Sequence, residues 1–214
     1  MQTNATTQRD YVFGAVAGII IGLLIIPVIK AVKPSFYGPV LFVAIPIFTA
    51  AVPIGLVIAS WISRRFAFIW QLAKFVVIGG MNMLVDLGVL ALISSAAIAP
   101  EATWLSFSAF TITYYSLYKA SSFIVANINS YLWNKYWTFE ASENRKAGTE
   151  FLGFFVVSLI GFAMNVVAAS AVFSAFHRID SLTTSQWGLI GAVVGSITGL
   201  AWNFIGYKFI VFKK

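Results

Sequence analysis

The chain alternates long apolar runs with short polar breaks. Runs of about twenty apolar residues, the length that crosses a bilayer as a helix, occur at Tyr11 to Val32, Pro39 to Ile62, Leu72 to Ala96, Ser116 to Phe139, Phe151 to Phe176 and Trp187 to Phe209. They are too long for the alternating strands of a membrane barrel, and lipid requires backbone hydrogen bonds to close within each segment. The expected fold is all-α, a polytopic membrane bundle of about six transmembrane helices. Tyr11 to Val32 is long enough to span and lacks a cleavage flank, so it is expected to stay on the protein.

Composition agrees: of 214 residues, 60% are hydrophobic and 10% charged, far from a soluble domain. There is no Cys and one His, His177, so neither a disulfide framework nor a thiolate or polyhistidine metal site is expected. No cofactor is expected either. A net charge of +7 could point to nucleic acid in a soluble protein. Here excess Lys and Arg fit loop retention and contact with anionic membrane lipid instead, and no nucleic-acid partner is expected. With six spans the termini share a side. Arg9, Arg64, Arg65, Lys74, Lys135, Arg145, Lys146, Lys208, Lys213 and Lys214 fall on that side and Lys30, Lys33, Lys119 and Arg178 on the other, which places both termini in the cytoplasm and the chain in the cell membrane. The Asn4 sequon then carries no meaning.

All six prolines lie in the first hundred residues, which separates an N-terminal hairpin, 1–66, from a four-helix remainder, 67–214. Pro46 and Pro53 are expected to kink the second helix. Gly14, Gly18 and Gly22, and Gly191, Gly195 and Gly199, form four-residue ladders that allow close helix approach, either within the bundle or at a homodimer seam. The remainder reads as two parallel helix pairs. An offset of 73 lays Lys135 on Lys208 and Phe139 on Phe212, whereas Asn82 falls on Asn165 at an offset of 83. The ten-residue difference is expected in the outer loop near Ala97 to Tyr115.

Polar groups inside apolar helices are the candidate chemistry. Asp86 is an acid within a span, so it must be neutral, paired or turned to a cavity, with Asn82 one turn away as a candidate partner. It is either a substrate-facing or proton-coupling acid, or a member of a structural network. Asn127, Tyr131 and Asn134 recur at spacings of four and three and line one face with Asn129 nearby. They, with Asn165 and Asn203, are either interhelical glue or a polar groove for sugar hydroxyls. Lys74, Lys135 and Lys208, each beside aromatics, either snorkel to the interface or hold a phosphate at headgroup depth. No phosphate loop, Ser/His/Asp set or carboxylate pair occurs, so no enzyme and no catalytic residue is expected. His177, beside Arg178 and Asp180, reads as a solvated turn residue.

The run from Lys74 through Gly79, Gly80, Asn82 and Asp86, then Ala126-Asn127, then Asn134-Lys135-Tyr136-Trp137-Thr138-Phe139, then Phe154-Phe155 to Asn165, then Asn203 to Phe212, resembles the GtrA-like family of small four-helix membrane proteins. That family also resembles the membrane domain of some dolichol-phosphate mannose synthases. The resemblance covers about Leu72 to the C-terminus. It implies a flippase that moves a polyprenyl-phosphate-linked monosaccharide to the outer leaflet for cell-surface polysaccharide glycosylation. By position, Asn82, Asp86, Asn127, Asn134, Phe139, Asn165, Asn203 and Lys208 match places where the family keeps polar or aromatic residues; with Tyr131 and Lys135 from the polar face and the lysine set, the expected substrate-binding residues are Asn82, Asp86, Asn127, Tyr131, Asn134, Lys135, Asn165, Asn203 and Lys208. Tyr207 stands where the first repeat has Asn134, and the first two helices are additional to the usual four. Two other functions fit the same residues: a scaffold or activator of a membrane glycosyltransferase, and a small proton-coupled multidrug exporter using Asp86.

Overall fold

The structure is a computed structural model that describes residues 7–32, 34–96, 98–107, 111–141, 147–176 and 183–213. Its helices are α1 (Gln8–Val32), α2 (Tyr37–Ser63), α3 (Phe68–Ala96), α4 (Tyr114–Trp133), α5 (Ala147–Phe176) and α6 (Thr184–Gly206). Five of them are long and apolar enough to cross a membrane, and the sixth, α4, has the length without the apolarity. The all-α, multi-pass membrane fold is therefore as expected, and the polar α4 is its informative exception. Asn4, Lys33, Arg145, Lys146, His177, Arg178, Asp180 and Lys214 lie outside the described residues.

Residues 1–138 and 139–214 form two compact units. In the first, α1 and α2 pack antiparallel through the glycine ladder. A Cβ on Gly14 would stand 2.7 Å from Leu56, and one on Gly22 2.6 Å from the Cα of Ile45. At Gly18 it would strike the carbonyl oxygen of Phe48, so only hydrogen fits where these backbones meet. α2 runs helical through Pro46 and Pro53, one helix from Tyr37 to Ser63. The hairpin packs on α3 around Ala17, Ile21, Leu56, Ile78, Met81 and Trp137.

α3 and α4 are also antiparallel, with Asp86 beside Lys119 and Ser122, Asn82 beside Asn129, and Lys74 beside Trp137. Their connection carries a feature the apolar pattern did not predict, a short antiparallel β-hairpin of β1 (Thr103–Ser106) and β2 (Thr111–Thr113). In the second unit, Gly191 would meet Ala169 of α5, Gly195 would meet Asn165 and Ala169, and Gly199 would meet Gly161. Both ladders are thus used for packing within the chain.

The internal repeat is visible in the backbone. Seventeen residues separate α3 from α4 and seven separate α5 from α6, which accounts for the ten-residue difference between the two offsets. Each pair also ends in a five-residue π-helical turn, Asn134–Thr138 and Tyr207–Val211. The 73-residue offset that lays Lys135 on Lys208 lays one turn on the other. π-Turns are rare and concentrate at functional positions because each rotates the side chains beyond it out of α-helical phase.

Candidate functional site

The buried side of α4 carries the polar residues that keep it from being an ordinary apolar span. Ser122, Asn127, Tyr131 and, on the π-turn, Asn134, Lys135 and Thr138 are all buried. Asn127 and Asn134, with half-buried Asn129, show how amides are held there. Asn127 Nδ2 donates to the Phe123 carbonyl at 2.9 Å. Asn134 Nδ2 donates to the Ser130 carbonyl at 2.8 Å and is 3.2 Å from its Oγ. Asn129 Nδ2 donates to Asn82 Oδ1 at 3.3 Å and ties α4 to α3. Asn134 Oδ1 and Thr138 Oγ1 are buried with no hydrogen-bond partner among the described residues. A buried acceptor without a donor costs on the order of 1–3 kcal/mol, so a donor at either oxygen would be stabilising.

Asp86 is paired. Its Oδ2 accepts from Lys119 Nζ and its Oδ1 from Ser122 Oγ, at 2.6 Å. Asn82, the partner expected from spacing, bonds across to α4 instead, because its amide meets Asn129 there. Lys119, which sequence reasoning assigned only to the outer side, is the counter-ion.

The other end of the unit gathers Lys74, Lys135 and Arg9. Lys135 Nζ lies 3.3 Å from its hydrogen-bond acceptor, Tyr131 Oη, and 5.6 Å and 5.8 Å from the Tyr131 and Tyr136 ring centroids. Lys74 is 1% exposed. Its Nζ forms a 2.6 Å ion pair with Asp10 Oδ1, donates to the Trp137 carbonyl at 3.3 Å and stands 4.8 Å from the Trp70 ring centroid. Trp137 Nε1 donates to the same Asp10 oxygen at 3.1 Å, and Thr7 binds the other through its backbone N–H and hydroxyl. Lys74 therefore serves a carboxylate and the Trp137 carbonyl near the end of the first π-turn, where a helix terminus leaves acceptors unmatched. Asp10, the residue just before the first apolar run, is 4% exposed. Only its position at the head of an apolar helix hinted at this.

In the second unit, Asn165 and Asn203 sit in the helix-packing seam. A Cβ on Gly195 would fall 2.8 Å from Asn165 Oδ1, and one on Gly161 would strike the Asn203 amide. Asn203 Oδ1 is buried without a partner among the described residues. Tyr207, at the position equivalent to Asn134, stacks on Phe154 with centroids 4.1 Å apart and shares a 2.6 Å hydrogen bond with Ser158. Lys208, half-buried, lies 5.6 Å from both the Phe204 and Phe209 ring centroids. The nine expected residues thus divide: Asn82, Asp86, Asn127, Tyr131, Asn134 and Lys135 share α3, α4 and the first π-turn, while Asn165, Asn203 and Lys208 share α5, α6 and the second.

Residues 74–212 match the GtrA/DPMS transmembrane domain, a span that opens on Lys74 and closes just beyond the second π-turn. The chain belongs to this family. The GtrA/DPMS region includes all nine candidate residues and omits α1 and α2, so Asp10 and Arg9 are additions that the N-terminal hairpin brings to it. A curated relative, the uncharacterized membrane protein YngA of Bacillus subtilis (strain 168), is 27% identical over 142 residues, covering 66% of this chain and 78% of its own length. No solved structure matches.

Proposed function

We propose that the chain is a flippase that moves a polyprenyl-phosphate-linked monosaccharide across the cytoplasmic membrane, for transfer to a surface polysaccharide by another enzyme. The chain itself makes and breaks no bond. The observation that carries this reading is Asn134: a buried amide on a π-turn within a GtrA/DPMS domain, its Oδ1 lacking a donor among the described residues. A sugar hydroxyl is the donor such an oxygen fits, and replacing sugar hydration by fixed amides lowers the barrier to entering lipid. Asn82, Asn127, Asn165 and Asn203 supply further amides, and Tyr131 a phenol hydroxyl. Lys135 and Lys208 sit on the two π-turns, where a cation would compensate phosphate charge.

Asp86 bears on the exporter alternative. A carboxylate held by Lys119 and Ser122 is already compensated, which favours a network that fixes α3 against α4 over an exchangeable proton site. The deciding experiment reconstitutes the full chain in proteoliposomes and follows a labelled polyprenyl-phosphate sugar between leaflets. Faster exchange than in protein-free vesicles for at least one sugar supports the proposal. No acceleration across a panel of hexose and pentose lipids would overturn it.

A further inference from the structure

Where the start of α1 meets the end of α4, a pocket of about 360 Å³ opens, lined by Arg9, Phe13, Leu132, Trp133 and Tyr136. Its floor is aromatic: Phe13 and Trp133 meet edge to face at 5.5 Å, and both rest on Trp137. Arg9 stands at its rim. The Arg9 guanidinium is exposed, donates through Nη2 to the Tyr136 carbonyl at 2.5 Å and lies 5.2 Å from the Phe13 centroid. These contacts fix its position and leave most of its five donors unused.

The adjacent acid, Asp10, is turned inward with one oxygen on Lys74 and Trp137 and the other on Thr7. Among the described residues Arg9 makes no ion pair. Apolar surface adjoins the rim on both helices: Leu132 is 44% exposed, as is Ile128 one turn away on α4, and Val16 is exposed one turn beyond Phe13. A fixed guanidinium beside exposed hydrocarbon-matching surface is complementary to a lipid with an anionic phosphate head. The lining offers no side-chain amide or carboxylate to accept from sugar hydroxyls, so a plain phosphodiester head suits it better than a glycosylated one. The bilayer itself supplies such lipids at concentrations that fill even a weak site.

We infer that this pocket binds an anionic glycerophospholipid, its phosphate on Arg9 and its acyl chains along Leu132, Ile128 and Val16. The bound lipid bridges α1, which lies outside the family region, to the π-turn inside it, and so holds the N-terminal hairpin on the GtrA/DPMS core. This does not depend on translocation; it is read at equilibrium with no transport step.

The test titrates phosphatidylglycerol and phosphatidylcholine into the purified full chain in neutral detergent and counts bound lipid by native mass spectrometry. Phosphatidylglycerol is expected to bind at least about tenfold tighter than phosphatidylcholine, and Arg9→Ala to remove about that factor. Phosphatidylcholine binding should stay unchanged. Leu132→Glu, an exposed wall position, should also weaken phosphatidylglycerol binding, by placing a like charge beside the head. Wild-type affinity for phosphatidylglycerol in both variants overturns the inference. So does displacement of phosphatidylglycerol from Arg9 by an equimolar polyprenyl monophosphate, which would make the pocket the substrate's.

Discussion

Asp10 of α1 and Lys74 of α3 form a 2.6 Å ion pair in which both side chains are almost fully buried. The pair joins the hairpin to the first residue of the GtrA/DPMS region and, through Trp137, to the π-turn that bears Asn134 and Lys135. Removing one partner of a buried pair leaves the other charge without compensation, which costs about 3–5 kcal/mol, whereas removing both costs much less. Asp10→Asn and Lys74→Met are each expected to lower the thermal midpoint of the detergent-solubilised chain sharply. The double variant should recover most of the loss. Additive losses in a double-mutant cycle would show that the two side chains do not act as a pair.

The glycines give a contrast within one protein. Gly18→Ala would drive a methyl into the backbone of Phe48 and Thr49, and Gly195→Ala into Asn165. Each should therefore separate two helices and destabilise the chain by about 1–3 kcal/mol. Gly79 and Gly80 are helical with open space where a Cβ would stand. Alanine there is expected to be neutral or to stabilise by up to about 1 kcal/mol through helix propensity. Thermal midpoints of the four variants, measured side by side, test the antiparallel registers of α1 with α2 and α5 with α6.

The helices, the repeat and the length of its extra loop were legible because lipid forces apolar runs of nearly fixed length, and an offset between motifs survives any folding detail. The pairings were not. Asp10 precedes an apolar run, a position where acids are usually solvated, and its partner Lys74 lies beyond the whole of α2. Lys119 read only as a cation at the outer end of the fourth span, and only the α3–α4 register puts it beside Asp86. The β-hairpin is too short, and Thr103 to Ser106 too weakly patterned, to stand out from a polar connection. The π-turns have no composition of their own. Only the recurrence of Lys-aromatic pairs at the 73-residue offset hinted that Lys135 and Lys208 share a backbone setting.

The Asp86–Lys119 pair separates charge compensation from proton exchange. Lys119 is partly exposed, so the pair is worth about 1 kcal/mol or less in stability. If compensation is its role, Lys119→Met should impair the chain more than the neutral pair Asp86→Asn with Lys119→Met. Translocation by that double variant should remain within about threefold of wild type. A double variant that is folded but inactive would mean that Asp86 itself handles substrate or protons.

Asn134 carries the proposed function, and its geometry predicts how its variants divide. Alanine removes the Nδ2 hydrogen bonds from the π-turn to the Ser130 carbonyl and Oγ of α4, and also removes the buried oxygen that has no partner among the described residues. These effects oppose one another and each amounts to about 1 kcal/mol, so Asn134→Ala should fold with a thermal midpoint near wild type. Its translocation rate is expected to fall at least about tenfold, the scale of one lost hydrogen bond to a desolvated sugar. Asn134→Asp retains an acceptor but brings a charge beside buried Lys135, so it should bind the phosphate less well even where it still contacts the sugar. Asn203→Ala extends the test, since its Oδ1 is likewise buried and without a partner. Parallel losses at Asn134 and Asn203 with intact folding would give both helix pairs a part in handling the sugar. Undiminished transport by Asn134→Ala would remove that amide from the site and leave its orphaned oxygen a packing feature of the π-turn.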